Sequence, residues 1–435
     1  MKWLTKKEGE RIMQIKNKDF IIKMVNKIRQ DASNEYKMAV PYIREGDGIQ
    51  TLSNPLFTNE LVYNTFYTGI TNMIYKTIFT TTEVFRNPLE VLKKGNMELG
   101  FDVREIANDL LEEHNYQLTD SLLADVLKLD PPTVMECIHR VNRQVFYKVS
   151  ITMAEMELAV TSWEDLANMF VTKAELLYNS NYVDEFAWCK DLLRMGVQNG
   201  LTPRKVVTPV TSEATGKALV KEIKNAVSDF RYPSILYTGL YNKTAGVNSI
   251  KVWTPPEKTV LVIPSKTLNE LDVDVLAVAF NTDKLGFMTN RVLEVDDLGY
   301  FFDYAKTTDV AIDNTKTYYT YNASTGEYTE VASPDVDDIA TYYERWYGKI
   351  EGFVFDERFT QIYDKRIFFA SSNIASGMLE QRYLHIWECF SLSPFAPCRC
   401  FYSEVDEADV PADYAFFKYF DESENSSTDV TISDL

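Results

Sequence analysis

The sequence predicts an α+β protein whose business is association rather than chemistry. Three observations lead there. Amphipathic helical tracts alternate along the chain with aromatic, β-branched extended runs. A strand–polar–strand segment near residues 80–150 carries too few core residues to bury both of its faces. Nowhere do a nucleophile, a base and an electrophilic partner fall into a recognisable motif.

Residues 1–40 read as polar helical pieces, with Phe20, Met24, Val25 and Ile28 on one stripe. Around Pro41–Pro55 the pattern dissolves into Gly, Asn and Ser, which predicts an extended arm. Between Asn59 and Thr82 aromatic and β-branched residues crowd together (Tyr63, Phe66, Tyr67, Ile70), and helix and strand both stay open. The turn signal Lys93-Lys94-Gly95-Asn96, the polar stretch Glu105–Asp120 and the extended run Met135–Val149 together predict a protruding hairpin that needs a partner surface. Ser162-Trp163-Glu164-Asp165 is a capping box, opening a helix through Leu166, Met169, Phe170 and Leu177. After Asn179-Ser180-Asn181 a second helix is expected through Val183, Phe186, Ala187 and Leu193 to a left-handed cap at Gly200.

Residues 201–375 read as α+β. Ser212 can cap a helix carrying Leu219, Ile223 and Val227, and Thr259–Ile263 reads as a buried strand stopped by Pro264. Leu268–Phe280 is expected to be an amphipathic helix, and the Tyr-rich stretch 312–348 a surface hairpin plus a short helix. Residues 383–402 are aromatic and extended, and the tail after Asp421 is expected to be disordered.

Composition removes several classes of function. The chain has 435 residues, 45 Lys+Arg and 64 Asp+Glu, hence a net charge of −19. With 45% hydrophobic and 25% charged residues it has a soluble globular balance, long enough for two to four domains at roughly 100–200 residues each. No stretch approaches the roughly 18 apolar residues of a spanning helix, so no membrane partner is expected. The first seven residues lack the apolar core of a signal peptide, so export is not expected. Five cysteines, an odd number, suit a reducing cytoplasm. The acidic balance opposes a broad basic face for nucleic acid. Charge is uneven: residues 1–31 hold nine bases and four acids, whereas residues 404–435 hold ten acids and one base. The two ends either meet each other or are separately solvated, and both readings stand.

Candidate chemical sites are sparse. Thr215-Gly216-Lys217-Ala218 resembles half a phosphate loop, but Thr211 replaces the first Gly and Ala218 the metal-binding hydroxyl. His385, Cys389, Cys398 and Cys400 could supply four zinc ligands; their spacing does not match a structural zinc site, and buried thiols are the expectation. Asp335, Asp337 and Asp338 lack the Gly of a calcium loop. His114 and His139, in the hairpin, are expected to be exposed. No cofactor, metal or catalytic residue is expected.

Specific strings carry the argument further. Asn87-Pro88-Leu89-Glu90-Val91-Leu92-Lys93-Lys94-Gly95, Arg143-Gln144-Val145-Phe146-Tyr147, Glu270 through Asn281 (ELDVDVLAVAFN) and His385 through Ser393 (HIWECFSLS) occur in this order and spacing. With them the chain resembles the major capsid proteins of phi29-type small podoviruses, from about Phe20 to about Tyr402. The resemblance implies the Hong Kong 97 fold and distributes its parts as follows. Residues 1–79 would be the N-terminal arm and lead-in, and 80–150 the E-loop hairpin lying over a neighbouring subunit. Residues 151–200 with 376–420 would form the peripheral domain and its spine helix, 201–375 the axial domain with 312–348 as an insertion, and 421–435 an acidic tail. It implies a subunit that assembles with itself into pentamers and hexamers of an icosahedral or prolate head, a scaffolding protein during assembly, a portal at one vertex, and packaged double-stranded DNA held without sequence-specific contacts. Localisation would be the virion, after assembly in the host cytoplasm. Lys93, Lys94, Gly95, Arg140 and Arg143 are expected at subunit contacts. Nothing marks the Asn acceptor or catalytic Glu of the covalent cross-link used by one branch of the fold. A head-fibre or tail-tube subunit is the competing reading, and a soluble enzyme the third.

Overall fold

Helices open the chain: α1 (Lys18–Asp31), α2 (Asn34–Ala39), α3 (Gln50–Thr58) and α4 (Glu60–Lys76). Strands β1 (Lys93–Asn96), β2 (Asp102–Asn108), β3 (Val134–Arg140) and β4 (Arg143–Ser150) follow, then α5 (Met153–Ala159) and the 36-residue α6 (Trp163–Gln198). Next come β5 (Arg204–Val206), α7 (Glu213–Asp229), α8 (Gly239–Thr244), β6 (Thr259–Pro264) and α9 (Ser265–Leu271). Later strands are β7 (Arg291–Val295), β8 (Tyr300–Lys306), β9 (Tyr318–Asn322), β10 (Glu327–Glu330) and β11 (Tyr343–Asp356). The last are β12 (Thr360–Ile374), β13 (Leu379–Leu392), β14 (Cys398–Val405) and β15 (Thr428–Ser433). The structure, a computed structural model, describes residues 18–76, 85–97, 100–111, 134–150, 153–244, 250–271, 291–308, 311–313, 315–374, 379–411, 414, 416 and 428–433. Two compact units divide the chain, one of Met1–Asn87, Asn142–Phe186 and Asp364–Glu388, the other of Pro88–Val141, Ala187–Tyr363 and Cys389–Leu435.

In the first unit the predicted stripe of α1 packs as read. Met24, Val25 and Ile28, with Ile21, are buried against Tyr63, Phe66, Tyr67 and Ile70 of α4. The ambiguous run 59–82 is therefore helical through Lys76; residues 77–84 lie outside the described residues. The helices approach closely because Gly69 has no side chain: a Cβ there would stand 2.4 Å from Ile28 Cγ2. Residues 41–55 are not the extended arm that their Gly, Ser and Asn content predicts. Asn26 clamps Ile43 from both sides, its Nδ2 donating to the Ile43 carbonyl (2.8 Å) and its Oδ1 accepting from the Ile43 N–H (3.0 Å). Behind this clamp Leu52 and Leu56, one turn apart on α3, enter the core.

Helix α6 starts as predicted, with Ser162 Oγ accepting from the Asp165 N–H (3.0 Å), and ends at Gly200, whose φ is +70°. The break expected at Asn179-Ser180-Asn181 does not occur. Those polar side chains are engaged elsewhere: Asn179 Oδ1 accepts from the Phe85 N–H (2.9 Å), Ser180 Oγ donates to the Leu176 carbonyl (2.7 Å), and Asn181 Oδ1 accepts from Arg143 (3.1 Å). None of these contacts takes a backbone N–H from the helix, which runs uninterrupted for about 54 Å at 1.5 Å per residue. Strands β12, β13 and β4 stand in that order, β4 pairing antiparallel with β13 from Gln381↔Ser150 to Glu388↔Arg143.

The second unit is built on β11. It pairs antiparallel with β14, β8 and β6, and the path β10–β9–β11–β14–β5 completes the sheet with β7 parallel to β6. Every residue of β6 is buried, as its apolar run predicts. Helix α7, capped by Ser212 with Thr215, lays Leu219, Ile223 and Val227 against Leu261, Ile263, Val354 and Phe401. The Tyr-rich stretch forms the hairpin β9–β10 with Tyr321 opposite Tyr328, followed by a 3₁₀ turn over Val336–Thr341. The helix expected over 268–280 is seen as α9 to Leu271; residues 272–290 lie outside the described residues.

Two further expectations are corrected here. Met135–Val149 is not one strand but two: the Val141 N–H bonds to Phe101 and the next N–H, of Asn142, to Glu388, so the partner changes between neighbouring residues. The end of the chain is not wholly disordered, since Thr428–Ser433 pairs antiparallel with β3, from Thr428↔His139 to Ser433↔Val134. Its β-branched residues alternate with polar ones, the pattern a strand needs.

Candidate functional site

The segment expected to project is held by its own chain at its root. Strands β2 and β3 pair from Asp102↔Arg140 to Asn108↔Val134. Alternation turns Met135, Cys137 and His139 inward, where Met135 and Cys137 pack with Leu240, Ile250 and Phe395. His139, expected to be exposed, is fully buried. Its Nε2 lies 3.0 Å from Glu105 Oε2 and its Nδ1 2.8 Å from Ser391 Oγ, while Ser393 Oγ donates to Glu105 Oε1 (2.9 Å). An ionised Glu105 can only accept, so Nε2 carries the proton it donates. The requirement that this segment find a partner surface is thus met on its inner face by its own subunit.

The outer face is different in kind. Arg104 pairs with Glu136 (3.3 Å) and Arg140 with Asp102 (3.6 Å), both at the surface. Between and beyond them Ile106 is 64% exposed and Leu111 80% exposed, with Phe101 and Leu110 about half exposed. Of these four, Ile106 lies on β2 itself and the other three flank the strand. Residues 112–133, including His114, lie outside the described residues.

The expected contact residues separate. Lys93, Lys94 and Gly95 are not at a hairpin tip but in β1, with Gly95 at φ +109°. Lys94 reaches solvent, yet partial desolvation draws its ammonium below the usual lysine value despite the nearby carboxylates of Glu105, Asp356 and Glu357. Arg140 stays at the surface. Arg143 does not: it is fully buried inside its own subunit, where its guanidinium pairs with Glu388 and donates to Tyr147 Oη (3.1 Å) and Asn181 Oδ1 (3.1 Å). Burial alone would lower its pKa, but Glu388 overcomes that and holds it above the ordinary value. Tyr147 passes the network on, its hydroxyl donating to Asp184 (2.6 Å), and Asn87 Nδ2 donates to Glu185 (3.1 Å) on the same helix. Sequence reasoning missed this lock because its halves are 245 residues apart.

The remaining chemical candidates have other employment. Gly216 is buried within α7 and Lys217 pairs with Glu213 one turn earlier, so no phosphate loop exists there. Cys389, Cys398 and Cys400 are buried and face three different carbonyls, of Gln361, Leu201 and Phe401. Burial pushes all three thiols up, Cys389 to about 12. His385 packs its ring on Phe146 at 5.8 Å. Among the described residues no group of three or more His, Cys, Asp or Glu is placed to hold a metal, and no helix is long and apolar enough to cross a membrane.

The chain matches the family of Phi29-like phage major capsid proteins over residues 25–402. It belongs to that family. It is 28% identical over 333 residues to the major capsid protein of Bacillus phage GA-1, covering 76% of this chain and 58% of that protein. With the major capsid protein of Bacillus phage B103 it shares 31% identity over 270 residues, 61% of this chain and 58% of the relative. The chain thus spans less than two thirds of these relatives' length. A solved capsid structure, of Staphylococcus phage Andhra, superposes with a TM-score of 0.50 at 13% identity, over 75% of this chain and 87% of that one. The α+β fold is of the Hong Kong 97 type, as the phi29-like resemblance implied. Of the strings that carried the resemblance, the one in β4 contains the buried Arg143 and Tyr147, and the one in β13 contains Glu388 and Ser391.

Removing one half of the buried pair leaves a charge without compensation, which costs about 3–5 kcal/mol. Arg143→Met should lower the unfolding free energy by about that much in urea, and adding Glu388→Met should restore most of it; strictly additive losses would contradict the coupling. A second expectation concerns pH. The folded chain keeps the Cys389 proton to about 12, whereas an unfolded thiol loses it near roughly pH 8.5. Stability is therefore whole below about pH 8.5 and falls as pH rises toward the folded value. Thiol labelling of the native chain at about pH 8 should be negligible, and rapid labelling of all five cysteines would contradict the burial.

Proposed function

We propose that the chain is a major capsid subunit, a structural and non-enzymatic protein that self-assembles into the head enclosing a phage genome. The observation that carries this reading is the family match over residues 25–402, most of the chain. The physical features agree with it. A hairpin root anchored on its inner face, with ion pairs and the exposed Ile106 on its outer face, suits an E-loop that lies over a neighbour. A 36-residue helix locked to a sheet by buried hydrogen bonds suits a spine that bears load without deforming.

Within this reading residues 1–79 are the lead-in, 80–150 the E-loop, 151–200 with 376–420 the peripheral domain, 201–375 the axial domain and 421–435 the tail. Subunits associate head to tail, so that contacts close into pentamers and hexamers. Each contact is modest and several act together, which lets a misplaced subunit leave while the finished shell holds. A scaffolding protein, a portal at one vertex and the packaged DNA are the further partners, in the virion after assembly in the host cytoplasm. The net charge of −19 keeps free subunits soluble.

Negative-stain microscopy of the expressed chain, alone and with a scaffolding protein, tests the proposal. Closed shells are expected; rods, or discrete small particles under both conditions, would refute it.

A further inference from the structure

The sheet built on β11 carries a basic cleft at one place and an acidic turn at another. At the Asp356 end a cleft of about 270 Å³ is lined by Val91, Lys93, Lys94, Val260, Arg291 and Arg358. Glu357 is there too, but already bridges Lys258 (3.5 Å) and Arg291 (3.7 Å), and Asp356 is fully buried against Arg358 (2.9 Å) and Thr254. Glu105, the third nearby carboxylate, is bonded to His139 and Ser393. Among the described residues Lys94, Lys258, Arg291 and Arg358 thus stand around carboxylates that are already bonded, in a chain whose net charge is −19.

Midway along β11, past the pairing of Gly348 with Glu404, the chain turns through Glu404, Asp406, Glu407 and Asp409, all exposed. No Lys or Arg occurs between Arg399 and Lys418. Gly348 and Asp356 are eight residues apart on the strand, which separates the two places by about 26 Å at 3.3 Å per residue. Both belong to the same compact unit, so one chain cannot fold its acidic turn into its own cleft.

We propose that the cleft at Lys93, Lys94, Arg291 and Arg358 receives the acidic turn Glu404–Asp409 of a second copy of this chain. The inference rests on the shell-subunit reading and names one of its contacts. A contact between two different patches is head to tail, so it propagates around a ring and closes when the rotation permits. The cleft's volume and its apolar walls, Val91 and Val260, suit one or two carboxylate side chains, whereas a nucleic-acid duplex needs a long open track of cations.

The test is a cross-link in the full chain. Lys94→Cys with Asp406→Cys should give a ladder of disulfide-linked oligomers from oxidised particles, and neither single substitution should. The five native cysteines are buried and do not compete. Independently, Lys93→Glu with Lys94→Glu should slow particle formation by about tenfold or more, and Asp406→Lys with Asp409→Lys on the same chain should restore it. Particles that form at the unaltered rate with reversed charges, or that stay monomeric on the non-reducing gel with both cysteines present, would overturn this contact and leave the shell reading standing. A wild-type chain that forms no particles would overturn both.

Discussion

One charge pair sealed from solvent fixes the geometry on which the rest depends. Arg143 and Glu388 face each other across the β4–β13 ladder, and Asn181 of α6 and Tyr147 both accept from Nη2 of the guanidinium. A buried arginine without these partners would cost several kcal/mol, so the pair tolerates one arrangement only. A slip of β4 by a single residue would turn Arg143 to the opposite face of the sheet and strand Glu388. The pair therefore sets strand register and helix rotation together. Arg143 follows Arg140, the last residue of β3, by three positions, so the lock lies next to the root of the hairpin along the chain.

The parts of this architecture that were readable in the sequence are those determined locally. Ser162 and Ser212 cap helices because the residues they bond lie three positions away. Gly200 ends α6, and the apolar run Thr259–Ile263 is a buried strand, for similarly short-range reasons. What was not readable depends on distant partners. Arg143 looks like a surface cation until Glu388 is brought to it, and His139 looks exposed until Glu105 and Ser391 enclose it. Asn179-Ser180-Asn181 looks like a helix break until Phe85 and Arg143 occupy its side chains. Residues 41–55 look like an arm because two leucines among Gly, Ser and Asn are a weak signal, decided by Asn26 gripping Ile43. Among the candidate contact residues, Lys93 and Lys94 read as charges beside a turn, and nothing local says that they lie in a strand beside a cleft.

The division of labour is the one that the proposed shell subunit would need. Its frame would have to be stiff, and inside it Arg143 is paired with Glu388 while burial holds the thiols of Cys389, Cys398 and Cys400 protonated. Its contacts would have to be reversible during assembly, a demand that exposed charges and exposed apolar side chains such as Phe101, Ile106 and Leu111 suit. Strand β2 embodies both demands, one face closed on its own chain and the other open at the edge of the β15–β3–β2 sheet.

Hydrogen–deuterium exchange, compared between free subunits and assembled particles, tests most directly whether that open face is where subunits meet. Amides of Asp102–Asn108 and of the adjoining Asp109–Leu111 should exchange markedly more slowly in particles, while those around Arg143 and Glu388 stay equally slow in both states. Identical exchange of the β2 amides in the two states would contradict the account.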